Sequence, residues 1–368
     1  MKHSIFSFFS GAGFLDLGFE KSNFDTVYVN EIHSPFLSIN KYSRNKLKIP
    51  EPIYGYYDQS IELPFQEKNK LLLSQYIKKE KKKNRVVGFI GGPPCPDFSV
   101  GGKNKGRHGD NGKLSKSYIE LITAHKPEFF LFENVKGLWR TIKHRKFYDE
   151  LKNQLIQNNY LLSEQLINAI EFGVPQDRDR IILFGVNRKY IKNYKGKYLD
   201  DFKWDKYKKF PGNEAFLHKW PSTNKFKEDS ILRKPKNIID ELTVEYWFKK
   251  NKVSNHPNCS HYFKPRAGLA RFLSVDEGDD SKKSYKRLHR WRYSPTVAYG
   301  NNEVHLHPYK ARRLTVSESL SLQSLPLKFS LPDSLSLTDM FKAVGNGVPY
   351  LASLGLAKTI KNYLEKKL

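Results

Sequence analysis

A glycine-containing turn and a glutamate have the types and spacing suited to holding a nucleoside. The turn Phe9-Ser10-Gly11-Ala12-Gly13 follows an apolar strand candidate and opens a helix. Glycines there let the backbone bend tightly and approach a ligand near the helix N-terminus. Glu31 ends the next strand candidate, where its carboxylate can accept hydrogen bonds from ribose hydroxyls. The two features predict a nucleoside cofactor site, with a structural turn and a capping glutamate as the alternatives.

A cysteine is presented by a proline-rich segment. Cys95 lies in Gly91-Gly92-Pro93-Pro94-Cys95-Pro96, after the strand candidate 86–90. The prolines exclude regular structure and hold the thiol at the carboxyl end of a strand, where α/β folds bind ligands. An ordinary thiol, with a pKa of about 8.5, is only slightly ionised near neutrality, so a nucleophilic role requires a nearby base or positive charge. We predict that Cys95 is a nucleophile; a buried structural cysteine is the alternative.

Three further charged residues lie where strands begin or end. Glu133, in Phe132-Glu133-Asn134-Val135, follows a very apolar run and could act there as a hydrogen-bond donor. Arg178 and Arg180 precede another strand candidate and share one face at strand spacing. They could bind a phosphate or a base oxygen, and a salt-bridged surface role is equally compatible with either alone.

The composition favours a nucleic-acid-binding protein. The chain has 368 residues with 64 Lys and Arg against 38 Asp and Glu, which gives a formal net charge of +26. Because 39% of the residues are hydrophobic and 14% aromatic, the chain can build one large domain or two ordinary ones, and wholesale disorder is excluded. Such a basic chain is expected to meet a polyanion, with a solvated lysine-rich surface as the alternative.

Two cysteines are too few for a disulfide framework or a zinc site, so no metal is expected. The first residues lack a signal peptide, and no apolar run approaches the roughly 18 residues of a membrane span. We expect a cytoplasmic protein without membrane contact.

The pattern of apolar residues predicts an α/β fold with a mostly parallel sheet flanked by helices. The strand candidates are 5–9, 26–30, 86–90, 129–132 and 180–186, and the helix candidates are 117–124, 147–157 and 349–364. From about 188 to 310 the chain is basic and irregular, which predicts a separate smaller domain. The lysine run 79–83 is interpreted as a solvated loop.

Six motifs in chain order resemble the cytosine-C5 DNA methyltransferase family of bacterial restriction–modification systems, which uses S-adenosylmethionine. The first three are Phe9–Gly13 as the cofactor loop, Pro93-Pro94-Cys95 as the nucleophile motif and Glu133-Asn134-Val135 as the ENV motif. The others are Gln176-x-Arg178-x-Arg180 as QxRxR, Arg312 to Glu318 with Leu322-Gln323 as RxLTxxE…LQ, and Val344 to Pro349 as the C-terminal GN motif. The resemblance covers the whole chain except the basic segment.

The resemblance implies a Rossmann-like catalytic domain and a role for each matched residue. Cys95 would add to C6 of a flipped-out cytosine, Glu133 would hold the N3 and amino edge, and Arg180 would lie on the O2 side, with Arg178 completing the catalytic set. The residues that would form the S-adenosylmethionine pocket are Phe9, Gly11, Ala12, Gly13, Glu31, Asp58, Pro93, Leu114, Asn346 and Val348.

The resemblance also implies double-stranded DNA as partner. The catalytic domain would comprise residues 1–187 and 336–368, and residues 188–335, including the RxLTxxE motif, would form the target recognition domain. The loop 101–112 is suited to close over the flipped base. The candidate DNA contacts are Ser99, Lys103, Lys105, Arg107, Arg266, Arg271, Arg287, Arg290, Arg292 and Thr296. We expect a monomer, with a cognate endonuclease encoded nearby and no stable complex required.

Two departures from the family pattern weaken individual assignments. Pro96 stands where the family usually has Gln, and Asp58 lacks the glycine that usually precedes it. Three other functions are alternatives to DNA cytosine methylation. Methylation of transfer RNA is disfavoured by the long basic segment, adenine-N6 methylation by Cys95 after Pro93-Pro94, and a catalytically dead DNA-binding regulator by the retained Cys95, Glu133, Arg178 and Arg180.

Overall fold

The computed structural model describes residues 1–62, 67–94, 110–191, 194–265, 268–282, 284–297 and 304–368. The strands are β1 (Lys2–Phe8), β2 (Phe24–Asn30), β3 (Tyr56–Tyr57), β4 (Arg85–Gly91), β5 (Phe129–Val135), β6 (Tyr160–Asn168), β7 (Asp179–Asn187), β8 (Lys286–Arg287) and β9 (His305–Leu306). The first helices are α1 (Phe14–Glu20), α2 (Ser34–Lys46), α3 (Glu67–Lys82), α4 (Asp110–His125), α5 (Lys136–Arg140) and α6 (Ile142–Gln157). The later ones are α7 (Glu214–Leu217), α8 (Val244–Lys250), α9 (Leu269–Leu273), α10 (Val316–Leu322), α11 (Leu337–Asn346) and α12 (Tyr350–Lys367).

Strands β1 to β7 form one sheet in the order β3-β2-β1-β4-β5-β7-β6. The pairs β1–β2, β1–β4, β2–β3 and β4–β5 are parallel, whereas β7 runs antiparallel to both β5 and β6. The crossovers between parallel strands contain helices, as such connections require. The predicted mostly parallel α/β fold is confirmed.

The central strands are buried on both faces, which explains their continuous apolar sequences. In β5, Phe129 and Leu131 pack into one hydrophobic cluster together with residues of α12. Phe130 and Phe132 point to the opposite face and pack with residues of α4 and α6. Successive side chains therefore supply two separate cores, one on each side of the sheet.

The region after β7 is built differently. Among the described residues 194–297, regular structure is limited to short α and 3-10 segments and the two-residue strand β8. Its apolar side chains form small clusters, such as that of Val244, Phe248 and Leu288 with Leu314 and Leu322. The irregular structure predicted from composition is present in this region, and its division into a separate domain stays a prediction.

Helix α10 packs against both parts of the molecule. Its Leu322 joins the cluster around α8, while Val316 and Leu320 pack with Phe14 of α1 and Phe36 of α2. Helix α10 therefore contributes to the hydrophobic clusters of both regions, and the domain boundary at residue 335 stays a proposal.

Several elements were not predicted from the sequence. They include α2, α3, α11 and the edge strand β6. The predicted strands and helices occur with bounds shifted at their ends, and the helix predicted to open after Gly13 is α1. The interpretation of residues 79–83 as a loop is wrong for most of the run, because α3 continues to Lys82. No helix among the described residues is long and apolar enough to cross a membrane.

Candidate functional site

The parallel strands bring the predicted site segments to one side of the sheet. We call this side the carboxyl edge, meaning residues 9–13, 31–33, 58, 92–94 and 133–136, and the side at which β1, β4 and β5 begin the amino edge. Because β1, β2, β3, β4 and β5 all run in the same direction, the residues that follow each of them meet at the carboxyl edge.

The turn between β1 and α1 adopts a backbone that favours glycine. Gly11 and Gly13 have φ angles of +54° and +81°, in the left-handed region. A Cβ on Gly13 would lie 2.8 Å from Nδ2 of Asn40, so this glycine is required where the turn packs against α2. A Cβ on Gly11 would meet no described atom within 4 Å. The turn is therefore open beside Gly11, and Ala12 is buried behind it.

Glu31 joins this turn to the start of α2. Its Oε2 accepts a hydrogen bond from the Gly11 backbone N–H at 2.9 Å, and its Oε1 accepts one from the His33 N–H at 2.8 Å. Burial raises the pKa of the Glu31 carboxyl, and the two N–H donors oppose that effect. A carboxylate can accept about four hydrogen bonds, so it keeps capacity for ribose hydroxyls.

Three other predicted cofactor residues lie along the same edge or beside it. Asp58 is exposed and directly follows Tyr57, whose carbonyl accepts from the Glu31 N–H at 3.0 Å. Phe9 and Leu114 are half-buried and pack against the same apolar cluster. The structure thus gives Asp58 a position next to Glu31, although the sequence supported it least.

Glu133 and Arg180 form a pair beside the segment that leads to Cys95. Nε of Arg180 lies 2.8 Å from Oε1 of Glu133, and both side chains are largely buried. A Cβ on Gly92 would lie 2.6 Å from Oε2 of Glu133, so the absence of a side chain there lets the two segments approach. Pro93 is buried, and its carbonyl accepts from Nδ2 of Asn134 at 3.3 Å.

Arg178 does not share this position. Its side chain is buried, and its guanidinium donates to the carbonyls of Gly345 at 2.8 Å and Val297 at 3.3 Å. The described contacts therefore separate Arg178 from Arg180, which pairs with Glu133. They join the residue just before β7 to α11, and the ligand-binding role of Arg178 stays a prediction.

The C-terminal GN motif packs onto the β1–α1 turn. A Cβ on Gly347 would lie 2.1 Å from the ring of Phe14, so only glycine allows this approach. Val348 is buried, and Asn346 is exposed at the last position of α11. The motif thus reaches the predicted cofactor region, with Asn346 accessible there.

Several predicted residues lie outside the described part of the chain. They are the nucleophile Cys95 and the DNA-contact candidates Ser99, Lys103, Lys105, Arg107 and Arg266. Of the described residues that precede Cys95, Gly92 lies beside Glu133 and Pro93 beside Asn134.

Two arginines predicted to contact DNA are buried. Arg287 is 0% exposed, and its guanidinium donates to the carbonyls of Phe272, Val275, His307 and Lys310. The guanidinium of Arg290 pairs with Glu277, with N–O distances of 2.8 and 2.9 Å. The DNA-contact prediction is wrong for both, because these groups are occupied inside the domain.

The other candidates of this region are more accessible. The Arg292 side chain is 23% exposed and lies 3.4 Å from a carboxylate oxygen of Asp280. Arg271 stacks over the ring of Tyr285. Thr296 is exposed, and its hydroxyl donates to the carbonyl of Asp177, in the segment that leads into β7 and Arg180.

Gln176 and Gln323 belong to the matched motifs but had no role assigned from the sequence. In the structure both hold neighbouring segments together. The amide of Gln176 donates to the Leu322 carbonyl at 3.2 Å and accepts from the Val297 N–H at 3.3 Å. Gln323 donates to the Val344 carbonyl at 2.6 Å. The QxRxR, LQ and GN motifs therefore meet in one buried network. Asn40, by contrast, carried no sequence signal, because its contact with Gly13 depends on helix packing.

Among the described residues, no group of three or more His, Cys, Asp or Glu side chains could hold a metal ion. The described part of the site consists of glycine turns, a buried carboxylate and a carboxylate–guanidinium pair.

Comparison with known proteins gives one consistent result. A family model described as C-5 cytosine-specific DNA methylase matches residues 3–362. The Type II methyltransferase M.NmeDI of Neisseria meningitidis serogroup C is 57% identical over 365 residues, which cover 99% of this chain and 84% of that protein. The chain is also similar to the S. pombe Dnmt2 methyltransferase structure, with a TM-score of 0.59, 13% identity and coverage of 100% of this chain and 99% of that one. At that identity the structural likeness supports the fold alone.

Proposed function

Because the chain belongs to the C-5 cytosine-specific DNA methylase family, and is a cytosine-C5 DNA methyltransferase of the type II restriction–modification kind, we propose how its residues carry out the reaction. It transfers a methyl group from S-adenosylmethionine to C5 of a cytosine in a specific sequence of duplex DNA. The cytosine is flipped out of the helix, and a covalent bond joins Cys95 to C6 during the transfer.

Cys95 supplies the nucleophile. Its thiolate forms a bond to C6, and the electron pair of the C5–C6 double bond becomes available at C5. C5 then takes the methyl group, and S-adenosylhomocysteine leaves. Loss of the C5 proton to a base, followed by release of the thiolate from C6, restores the aromatic ring. The protein recovers its thiolate unchanged.

The pairing of Glu133 with Arg180 is the observation that best supports this proposal. Their contact of 2.8 Å lies at the carboxyl edge beside Gly92, three residues before Cys95. A carboxyl and a guanidinium held together there can bind complementary edges of one cytosine, with Glu133 at N3 and the amino group and Arg180 at O2. A base bound in this way would present C6 to the segment that carries the thiol.

The β1–α1 turn fits S-adenosylmethionine, which supplies the methyl group. Space beside Gly11 is open in the described structure, and the adjacent Glu31 carboxylate is buried and held by two N–H donors. A preorganised acceptor of this kind suits ribose hydroxyls. Phe9, Asp58, Leu114 and Asn346 would complete the pocket, with Ala12, Gly13, Pro93 and Val348 supporting it.

We assign DNA recognition to the basic region after β7. Arg292 and Thr296 are accessible, and Thr296 is tied to the segment that leads into Arg180. Lys103, Lys105 and Arg107 would contact phosphates as the loop around them closes over the extruded base. Residues 188–335 would act as the recognition domain, the enzyme would work as a monomer, and an endonuclease encoded nearby would share its target.

A product analysis tests this function. The purified chain is incubated with methyl-labelled S-adenosylmethionine and either duplex DNA or transfer RNA, and the nucleosides are separated after digestion. We expect the label in 5-methyldeoxycytidine from the duplex, and bisulfite sequencing then gives the target. Label in transfer RNA or in methylated adenine, with none in deoxycytidine, would contradict the proposal.

A further inference from the structure

The amino edge of the sheet carries a basic cleft far from the proposed active site. Connecting segments before β4, β5 and β6 and after β7 converge there around a space of about 930 Å³ that is open to solvent. Lys81, Lys126, Arg188 and Lys189 line it together with asparagine side chains, and we call it the amino-edge cleft.

The segments that form this cleft contain few carboxylates. The described residues 78–85, 125–128, 157–160, 187–191 and 194–198 include eleven Lys and Arg but only Glu80 and Glu128. Both glutamates are buried and occupied. Glu80 pairs with Lys83 at 2.7 Å, and Glu128 with Lys81 at 3.1 Å. The positive charge around the cleft is therefore largely uncompensated within the protein.

Three lysines at this edge are available to a partner. Lys82, Lys126 and Lys189 are exposed, and none has a carboxylate oxygen of the described residues within 4 Å. By contrast, Arg188 donates to the carbonyls of Tyr194 and Gly196, and Arg85 pairs with Asp25, so these two arginines help to hold the edge together. Clustered like charges repel one another and weaken the folded state unless an anion offsets them.

The cleft is too far from the carboxyl edge to act on the target base. Strands β1, β4 and β5 each have seven residues, which span roughly 20 Å at about 3.3 Å per residue. Charges this far apart are separated by more than two Debye lengths of about 8 Å at physiological ionic strength. Any ligand of the amino-edge lysines is therefore distinct from the target base.

We propose that the amino-edge cleft binds the phosphate backbone of a second segment of double-stranded DNA while the carboxyl edge holds the target. The proposal rests on the action of this family on DNA, because a protein that works on long duplexes meets further segments of them at high local concentration. Lys126 and Lys189, which line the cleft, and Lys82, which follows the lining residue Lys81, contact the phosphates, and no base is read at this surface.

A capture assay tests the second site. The enzyme is loaded on a short immobilised duplex that contains the target, and a labelled duplex of A·T pairs alone is then added at low salt. We expect the wild type to retain the labelled duplex. The triple variant Lys82→Glu, Lys126→Glu, Lys189→Glu should lose most of this retention and still methylate the short duplex.

A matched variant controls for net charge. Lys46, Lys48 and Lys328 are exposed and have no described ion pair, so changing all three to Glu alters the net charge equally without touching the cleft. This control should retain the labelled duplex. The slope of log affinity for the labelled duplex against log salt concentration should be shallower in the test variant by about 2.7. Three phosphate contacts are lost, and each contributes about 0.9 to the slope.

The possible outcomes separate this proposal from the function itself. No capture by the wild type, or equal losses in test and control variants, would overturn the second site even if methylation proceeds. Displacement of the duplex by inorganic phosphate at the same phosphate concentration would show a site for single anions and would also overturn it. Loss of methylation in the wild type, with capture retained, would count only against the proposed function.

Discussion

Replacement of Arg290 by Ala should lower the free energy of unfolding. Any loss of DNA binding should be a consequence of that lower stability, because the Arg290 side chain is paired inside the protein. The Arg290 and Glu277 side chains are 6% and 3% exposed. The guanidinium donates to both Glu277 oxygens and also to the carbonyl and hydroxyl of Ser230. Removing it leaves a buried carboxylate without its partner, which typically costs about 3–5 kcal/mol.

Urea unfolding followed by tryptophan fluorescence measures this loss, because Trp291 is adjacent and buried. Arg292→Ala is the matched control. Its ion pair spans 3.4 Å between partly exposed partners, so its loss should change the unfolding free energy by less than about 1 kcal/mol. The change Arg290→Met combined with Glu277→Leu should recover much of the lost stability, since no buried charge is left unpaired. If Arg290→Ala unfolds at the wild-type urea concentration and yet loses DNA affinity, the buried-pair interpretation is refuted.

Three further outcomes follow from the structure. Glu31→Ala should weaken S-adenosylmethionine binding about ten- to a hundred-fold in calorimetry, because charge-assisted hydrogen bonds contribute about 1.5–3 kcal/mol; unchanged affinity would remove Glu31 from the pocket. Gly347→Ala should lower the unfolding free energy by about 1–3 kcal/mol, since its Cβ would lie 2.1 Å from Phe14, and wild-type stability would contradict this packing. Burial raises the pKa of Glu20 from 4.5 to about 7, although its ion pair with Arg44 opposes the shift. In this pH range the folded state therefore holds a proton that the unfolded state releases, so the stability of the wild type relative to Glu20→Gln should fall as pH rises from 4.5 to about 7. A flat difference across that range would show that the pair with Arg44 keeps Glu20 ionised.

The sequence predicted the fold wherever burial leaves a continuous apolar run. The run Phe129 to Phe132 is recognisable because both faces of β5 are covered. Strand β6 was missed because it lies at the sheet edge and its central residues, such as Glu164 and Gln165, are only partly buried. Helix α3 was missed because its last turn is rich in lysine, a pattern that a solvated loop shares.

The sequence predicted which segments form the site, but not the burial and contacts of each side chain. Motif order and strand ends placed Gly11, Glu31 and Glu133 at one edge, because parallel strands leave few alternatives. Arg287, Arg290 and Arg292 lie in one short basic stretch and look alike in the sequence. Their different burial depends on Glu277 and on main-chain carbonyls brought together only by the tertiary fold.

The most direct test of the account is covalent trapping at Cys95. In a duplex with 5-fluorocytosine at the target position, fluorine replaces the C5 hydrogen. Fluorine cannot leave as a proton does, so the protein should stay bonded to C6. Cys259 is the only other cysteine, and Cys259→Ser is therefore the matched control. We predict that the wild type and Cys259→Ser form a complex that survives denaturant, that peptide mapping places the bond at Cys95, and that Cys95→Ser forms none. A denaturant-stable complex in Cys95→Ser, or methylation by the wild type without any trapped complex, would contradict the account.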